Sequence, residues 1–205
     1  MQKKLLGSIC LVLGIVIFVT TGTTFAYLVA SATSSEDAIS GEIADFKVNL
    51  TLTEVYKSTN MVPLKDNLVK TAITNSSKCR DKDNYEVCSL YKLKLTNTGQ
   101  AFALNGYLKT SSTTYTTGNL KYQIYDTSYN AITDVMTPSL TTDEKVYFSK
   151  NNTNVNTSIN TSNIEYYLVM WISDTNSIQT SDHSKTYSGA VGFETTSGDR
   201  IEADI

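Results

Sequence analysis

The chain has 205 residues but only one histidine, one tryptophan, two prolines and three cysteines, and charged residues make up 18% of it. Each scarcity removes a class of function. One histidine, His183, cannot build a His-rich metal centre, and no H-E-x-x-H run is present. No G-x-S-x-G run sets a serine on a strained strand-to-helix elbow. The net charge is -3 and no basic cluster tracks along the sequence, which excludes nucleic acid as a partner.

The remaining candidates for chemistry have plainer readings. His183 sits in Thr180-Ser181-Asp182-His183-Ser184-Lys185, a polar loop, and a Ser-His-Asp triad is defined by geometry rather than by such proximity. From Asp81 to Glu86 carboxylates fall at alternate positions, as in a calcium loop, but the glycine required at the sixth position and the acid at the twelfth are missing. Asp174 and Asp182 would share a cation only if their loop folds back. No catalytic residue, metal ligand or cofactor is assigned.

What the chain does have is a long uncharged run. Lys3 and Lys4 precede it and no charge follows until Glu36, with Leu5, Leu6, Ile9, Leu11, Val12, Leu13, Ile15, Val16, Ile17, Phe18 and Val19 at its start. Basic residues, an apolar core and then small residues form the plan of a secretory signal, with cleavage sites after Ala26 and after Ala32. Leu5 to Val29 is also long enough to span a bilayer as a retained anchor, which takes about 20 residues in a helix. Residues 1–32 are therefore a signal peptide or a transmembrane anchor, and both readings put the chain in contact with the membrane and everything downstream outside the cytoplasm. Cys10, preceded by the bulky Ile9, is a buried apolar cysteine rather than a lipid attachment site.

Residues 33–41 form a polar connector, and 42–205 is the size of one ordinary domain. Cys79 and Cys88, an even pair held outside the cell and separated by a polar stretch, read as a disulfide. Phe46, Val48, Leu50 and Leu52 alternate with polar residues, which predicts a strand with one buried face. The same alternation recurs through Tyr91, Leu93 and Leu95, through Phe102, Leu104, Gly106 and Leu108, and through Leu120, Tyr122 and Ile124. It returns in Tyr187, Gly189, Val191 and Phe193, and in Ile201, Ala203 and Ile205. Asn97-Thr98-Gly99 marks a turn. Val146 to Phe148 is a short edge strand, and Tyr166 to Ile172, apolar at successive positions, is a central strand covered on both faces. The 57–77 stretch leaves a helical turn or a loop open around Asp66 to Ile73, and Lys150 to Asn163, nearly all Asn, Thr and Ser, reads as an exposed loop. Seven to nine short strands with no helical period predict an all-β, immunoglobulin-like antiparallel β-sandwich, with a jelly roll or open barrel as alternatives, preceded by one N-terminal hydrophobic helix. Of the 13 tyrosines, Tyr115 and Tyr129 fall near loops, where they would form a contact surface; the others read as packing.

Three stretches carry a family resemblance. Gly22-Thr23-Thr24-Phe25-Ala26-Tyr27 with Ile39-Ser40-Gly41-Glu42-Ile43 and the strand to Leu52, then Leu95-Thr96-Asn97-Thr98-Gly99, then Trp171-Ile172-Ser173-Asp174 with Tyr187-Ser188-Gly189-Ala190-Val191, resemble the TasA and camelysin family of exported Gram-positive proteins. The resemblance implies an immunoglobulin-like sandwich, export through a dedicated signal peptidase, and a role at the cell surface or in a biofilm matrix, where some members polymerise by donating an N-terminal strand. The Cys79/Cys88 pair departs from the matrix-fibre members. The expected function is non-enzymatic surface or matrix assembly or adhesion through protein contacts, including self-assembly, with Phe46, Val48, Leu50 and Leu52 as the candidate donor strand. A secreted peptidase-like hydrolase and a carbohydrate-binding module are the alternative readings.

Overall fold

The computed structural model describes residues 28–29, 46–160 and 163–205. Apart from Leu28–Val29, the leader lies outside these residues, as do Ala26, Ala32, the 33–41 connector and the expected N-terminal helix. Among the described residues no helix is long and apolar enough to cross a membrane.

The domain is an all-β sandwich. Strands β1 (Leu28–Val29), β2 (Val48–Tyr56), β3 (Ser89–Asn97), β4 (Phe102–Thr113), β5 (Leu120–Tyr125) and β6 (Lys145–Tyr147) are followed by β7 (Ser149–Lys150), β8 (Thr153–Asn154), β9 (Asn156–Ile159), β10 (Ile164–Ile172), β11 (Lys185–Glu194) and β12 (Arg200–Asp204). One sheet has the order β2-β3-β10-β5. The other centres on β4 and β11, with β12 pairing β11 and with β6 and β9 both pairing the far edge of β4. Read in chain order, β2-β3-β10-β5 against β12-β11-β4 is the ABED/GFC arrangement of an immunoglobulin constant-type domain. The extra edge strands occupy the place of C′ but come from the β5–β10 connection rather than from β4–β5.

The alternating residues meet between the sheets. Val48 and Leu50, Tyr91, Leu93 and Leu95, Leu104 and Leu108, Tyr122 and Ile124, Leu168 and Met170, and Val191 and Phe193 are all buried in one core. The Tyr122 ring reaches Phe148 at 6.3 Å, and Phe148 meets Phe193 edge-on at 6.0 Å, which joins the layers. Gly106 makes room for this contact, because a β-carbon there would stand 2.3 Å from Phe148 Cδ2. The turn between β3 and β4 carries the chain across from one sheet to the other.

One stretch differs from the sequence expectation, and another settles an alternative left open. Residues 150–163 are not one exposed loop: β9 pairs with Phe102–Asn105 of β4, burying Thr157 and Ile159. The β4 edge supplies backbone partners that composition does not announce. Around Asp66 to Ile73 the alternative resolves to helix, a 3₁₀ turn at Asp66–Leu68 running into α1 (Val69–Thr74). Val69, Ala72 and Ile73 are buried, and Trp171 Nε1 donates to Asp66 Oδ1 at 2.8 Å. This cover explains why β10 is fully buried only from Leu168 to Ile172, while Ile164 to Tyr167 remain half-buried.

Candidate contact surfaces

The edge of β11 away from β4 is shared by two strands. β12 pairs with Ala190 to Glu194, and the Ile205 N–H donates to Gly189 O at 2.8 Å. Beyond that point β1 adds in parallel, Leu28 opposite Lys185 and Val29 opposite Thr186. A segment from far upstream of the domain thus continues a sheet edge where the C-terminal strand stops. Sequence patterning offers no signal for it, since two residues have no period.

The outer face of the same sheet holds a lattice of charge and phenol. Tyr107 is fully buried, although it points away from the sandwich core, because its ring lies over Gly192 and is roofed by neighbours. Its hydroxyl donates to Glu202 Oε1 at 2.7 Å, Lys109 pairs with Glu202, and Lys145 Nζ lies 4.3 Å from the ring centroid. Lys145 and the Tyr147 hydroxyl both donate to Glu194, and the Tyr147 ring meets Tyr107 edge-on at 5.8 Å. Burial alone would raise the pKa of Glu194 and Glu202, but the hydrogen bonds from Lys145 and Tyr147, and from Lys109 and Tyr107, outweigh it and hold both below the ordinary glutamate range. Tyr107 is pushed up, first by burial and then by its bond to Glu202. Lys109 and Lys145 are each paired with a glutamate on this face, so these charges satisfy one another rather than forming an open ligand cradle.

The 57–88 excursion is fastened by two devices. Cys79 and Cys88 form the disulfide expected from their spacing, with Cα atoms 4.9 Å apart and both residues fully buried. Within the loop they close, Glu86 accepts hydrogen bonds from Tyr56 Oη (2.8 Å), Ser58 Oγ (2.9 Å) and the backbone N–H of Thr59 (2.9 Å) and Asn60 (3.3 Å), and Arg80 pairs with it at 3.3 Å. Burial opposes its ionisation, yet these donors lower its pKa. Asp81, read above as a calcium-loop acid, instead accepts from the N–H groups of Asp83 and Tyr85 and closes its own turn. Among the described residues no group of three or more His, Cys, Asp or Glu is placed to hold a metal ion.

At the end of the sandwich the acidic loop residues do not converge. Asp182 is fully buried and accepts from Thr117 Oγ1 (2.6 Å), Asn119 Nδ2 (2.7 Å) and Gln179 Nε2 (3.2 Å), whereas Asp174 accepts from the Asn176 N–H in a turn of its own. His183 is exposed, with Nδ1 2.9 Å from Ser184 Oγ. Tyr115, expected on a contact surface, is 3% exposed and its hydroxyl has no partner. Its side chain turns inward at the sandwich end, while Thr114, Thr116 and Gly118 of the same loop stay exposed. Tyr129 is half-buried and stacks on Tyr167, with ring centroids 4.9 Å apart.

The candidate donor strand is placed inside its own domain. Phe46, Val48 and Leu50 are buried, Leu52 is partly buried, and β2 runs antiparallel to β3 at the edge of the four-stranded sheet. Fold and surfaces together define the class, an immunoglobulin-type antiparallel sandwich with one local disulfide. No family model matches the chain, and no curated protein matches it. Among solved structures, a sugar phosphate isomerase of the cupin superfamily from Silicibacter pomeroyi is 8% identical over 59% of this chain and 69% of its own, at a TM-score of 0.15. A likeness of that size carries no argument about fold or activity.

Proposed function

We propose that this chain is an exported, non-enzymatic β-sandwich that acts in cell-surface or matrix assembly or adhesion through protein contacts, as its resemblance to TasA and camelysin implies. The observation that carries the reading is the parallel pairing of Leu28–Val29 with Lys185–Thr186. An N-terminal segment that completes a sheet edge is the element needed for β-strand addition between copies. β2 is a weaker donor than its alternation suggested, because donating it would remove Val48 and Leu50 from the core of its own domain. The leader supports export, and a buried disulfide fits an oxidising compartment.

The choice of cleavage site becomes decisive. A chain cut after Ala26 keeps Leu28–Val29, and one cut after Ala32 loses them. The test is the N-terminus of the native protein, determined separately in washed cells and in culture medium, followed by sizing of chains that begin at Tyr27 and at Thr33. A Tyr27 start that forms large assemblies, with Thr33 chains remaining small, is the expected result. Equal assembly by both chains would overturn the role of the β1 segment. A full-length chain found only in membranes would make the protein a tethered surface domain instead.

A further inference from the structure

Tyr129 and Tyr167 form a phenol pair unlike the others in the described structure. Their rings are 13° from parallel with centroids 4.9 Å apart. A near-parallel stack at this separation holds the two phenol rings against each other, within reach of a bond between them. By contrast, Tyr107 and Tyr147 meet edge-on at 66°, with each hydroxyl committed to a glutamate.

The stack is held from several sides. Tyr129 has φ 59°, an uncommon conformation for a bulky residue. Asp126 fixes it there by accepting the N–H groups of Ser128 and Asn130, both at 2.8 Å, while the Tyr129 N–H donates to Asp126 O at 3.0 Å. Lys78 Nζ donates to the Tyr129 hydroxyl at 3.1 Å and lies 4.6 Å from the ring centroid. Tyr167 is fixed on β10, between β3 and β5. Both rings are only half-buried, so a small oxidant reaches them. Backbone strain kept at a surface position is an observation that points toward function.

We infer that Tyr129 and Tyr167 are a site of oxidative cross-linking within one chain, joined as a dityrosine by a one-electron oxidant of the peroxidase class. Each phenol gives up one electron and its hydroxyl proton. The two phenoxyl radicals form a carbon–carbon bond between their ortho positions, and the ortho hydrogens then move to the oxygens as the rings regain aromaticity. The product has lost two hydrogen atoms, released as two protons and two electrons, and hydrogen peroxide takes them up to give two waters. The bond would tie the turn after β5 to the central strand of the four-stranded sheet. This inference does not depend on how copies assemble.

The experiment treats the full chain with a haem peroxidase and hydrogen peroxide, then measures intact monomer mass, dityrosine fluorescence and the proteolytic map. The expected result is a monomer lighter by two hydrogens whose map joins the peptide containing Tyr129 to that containing Tyr167. Tyr129→Phe and Tyr167→Phe should each abolish the monomer fluorescence, since phenylalanine keeps the stack but lacks the hydroxyl hydrogen. Tyr85→Phe, at a tyrosine that is 49% exposed, should leave it intact. A wild-type map without the joined peptide would overturn the inference, whatever the variants do. So would linkage through Tyr85 into dimers alone, or monomer fluorescence persisting in Tyr129→Phe.

Discussion

Tyr107 lies across Gly192, its cross-strand partner on β11, so closely that a β-carbon at Gly192 would stand 2.5 Å from Tyr107 Cζ and 2.7 Å from its hydroxyl oxygen. The ring cannot step aside, because it is fully buried and its hydroxyl is bound to Glu202. Gly192→Ala should therefore destabilise the domain by about 1–3 kcal/mol, the range for overpacking. At Gly118 the nearest atom to an added β-carbon is Thr137 Cγ2 at 3.6 Å, and Gly118→Ala should stay within about 0.5 kcal/mol of wild type. Urea unfolding of the two variants side by side checks the contrast.

Opening the Cys79–Cys88 loop should cost about 2–3 kcal/mol, as the chain-entropy model gives for so short a closure. Both cysteines are fully buried, so a thiol reductant should act on them only as the domain opens. Reduction followed over a urea series should track unfolding, and rapid reduction of the native protein would contradict the burial.

Glu86, Glu194 and Glu202 all have folded pKa values below their ordinary ones. For a carboxylate with a depressed folded pKa, the stabilisation is fully present above the unfolded value, about 4.3 for glutamate, and is lost as pH falls through the folded value. Stability should therefore decline on the acid side of that value. Glu86→Gln should flatten this decline while lowering stability at neutral pH. An acid limb of unchanged steepness in the variant would remove Glu86 from the account.

The alkaline side follows the opposite sign. Tyr91, Tyr125 and Tyr187 are pushed up to about 12, each chiefly by burial. Tyr56 reaches about 12 through burial and then its bond to Glu86. A phenol with a raised folded pKa favours the fold below its unfolded value, about 10, and that contribution is lost as pH rises through the folded value. An absorbance titration should show a late group of tyrosines ionising together with the loss of structure.

Tyr115 and Asp182 make a paired test of buried polar groups. Tyr115→Phe removes a hydroxyl without a partner and should be neutral or stabilising by up to about 1 kcal/mol. Asp182→Ala strands the donors on Thr117, Asn119 and Gln179 and should cost at least about 2 kcal/mol. Thermal unfolding of both variants decides the matter.

The strands that bury one face were legible because their alternation reflects that burial directly, from Phe46 through Ile205. The disulfide was legible from spacing and compartment. β9 was not, since its side chains are polar and its pairing with β4 is made by backbone; the signal available was the spacing of Val155, Thr157 and Ile159, of which the last two are buried. Tyr115 was misplaced because a loop's exposure depends on what it folds against, here the sandwich end around Asp182. The gathering of Tyr56 and Ser58 on Glu86, of Tyr107 and Lys109 on Glu202, and of Lys145 over Tyr107 joins residues distant in sequence and leaves no local mark.

β10 is the middle partner of β3 and β5, yet it lies well downstream of both in the chain. A chain emerging N-terminus first must therefore present β2–β3 and β5 with their facing edges open until Ile172 is free. At synthesis rates of about 5–20 residues per second, the roughly 70 residues between β3 and β10 correspond to a delay of several seconds or more. During that interval the facing edges of β3 and β5 lack their strand partner, and they close only when β10 inserts between them.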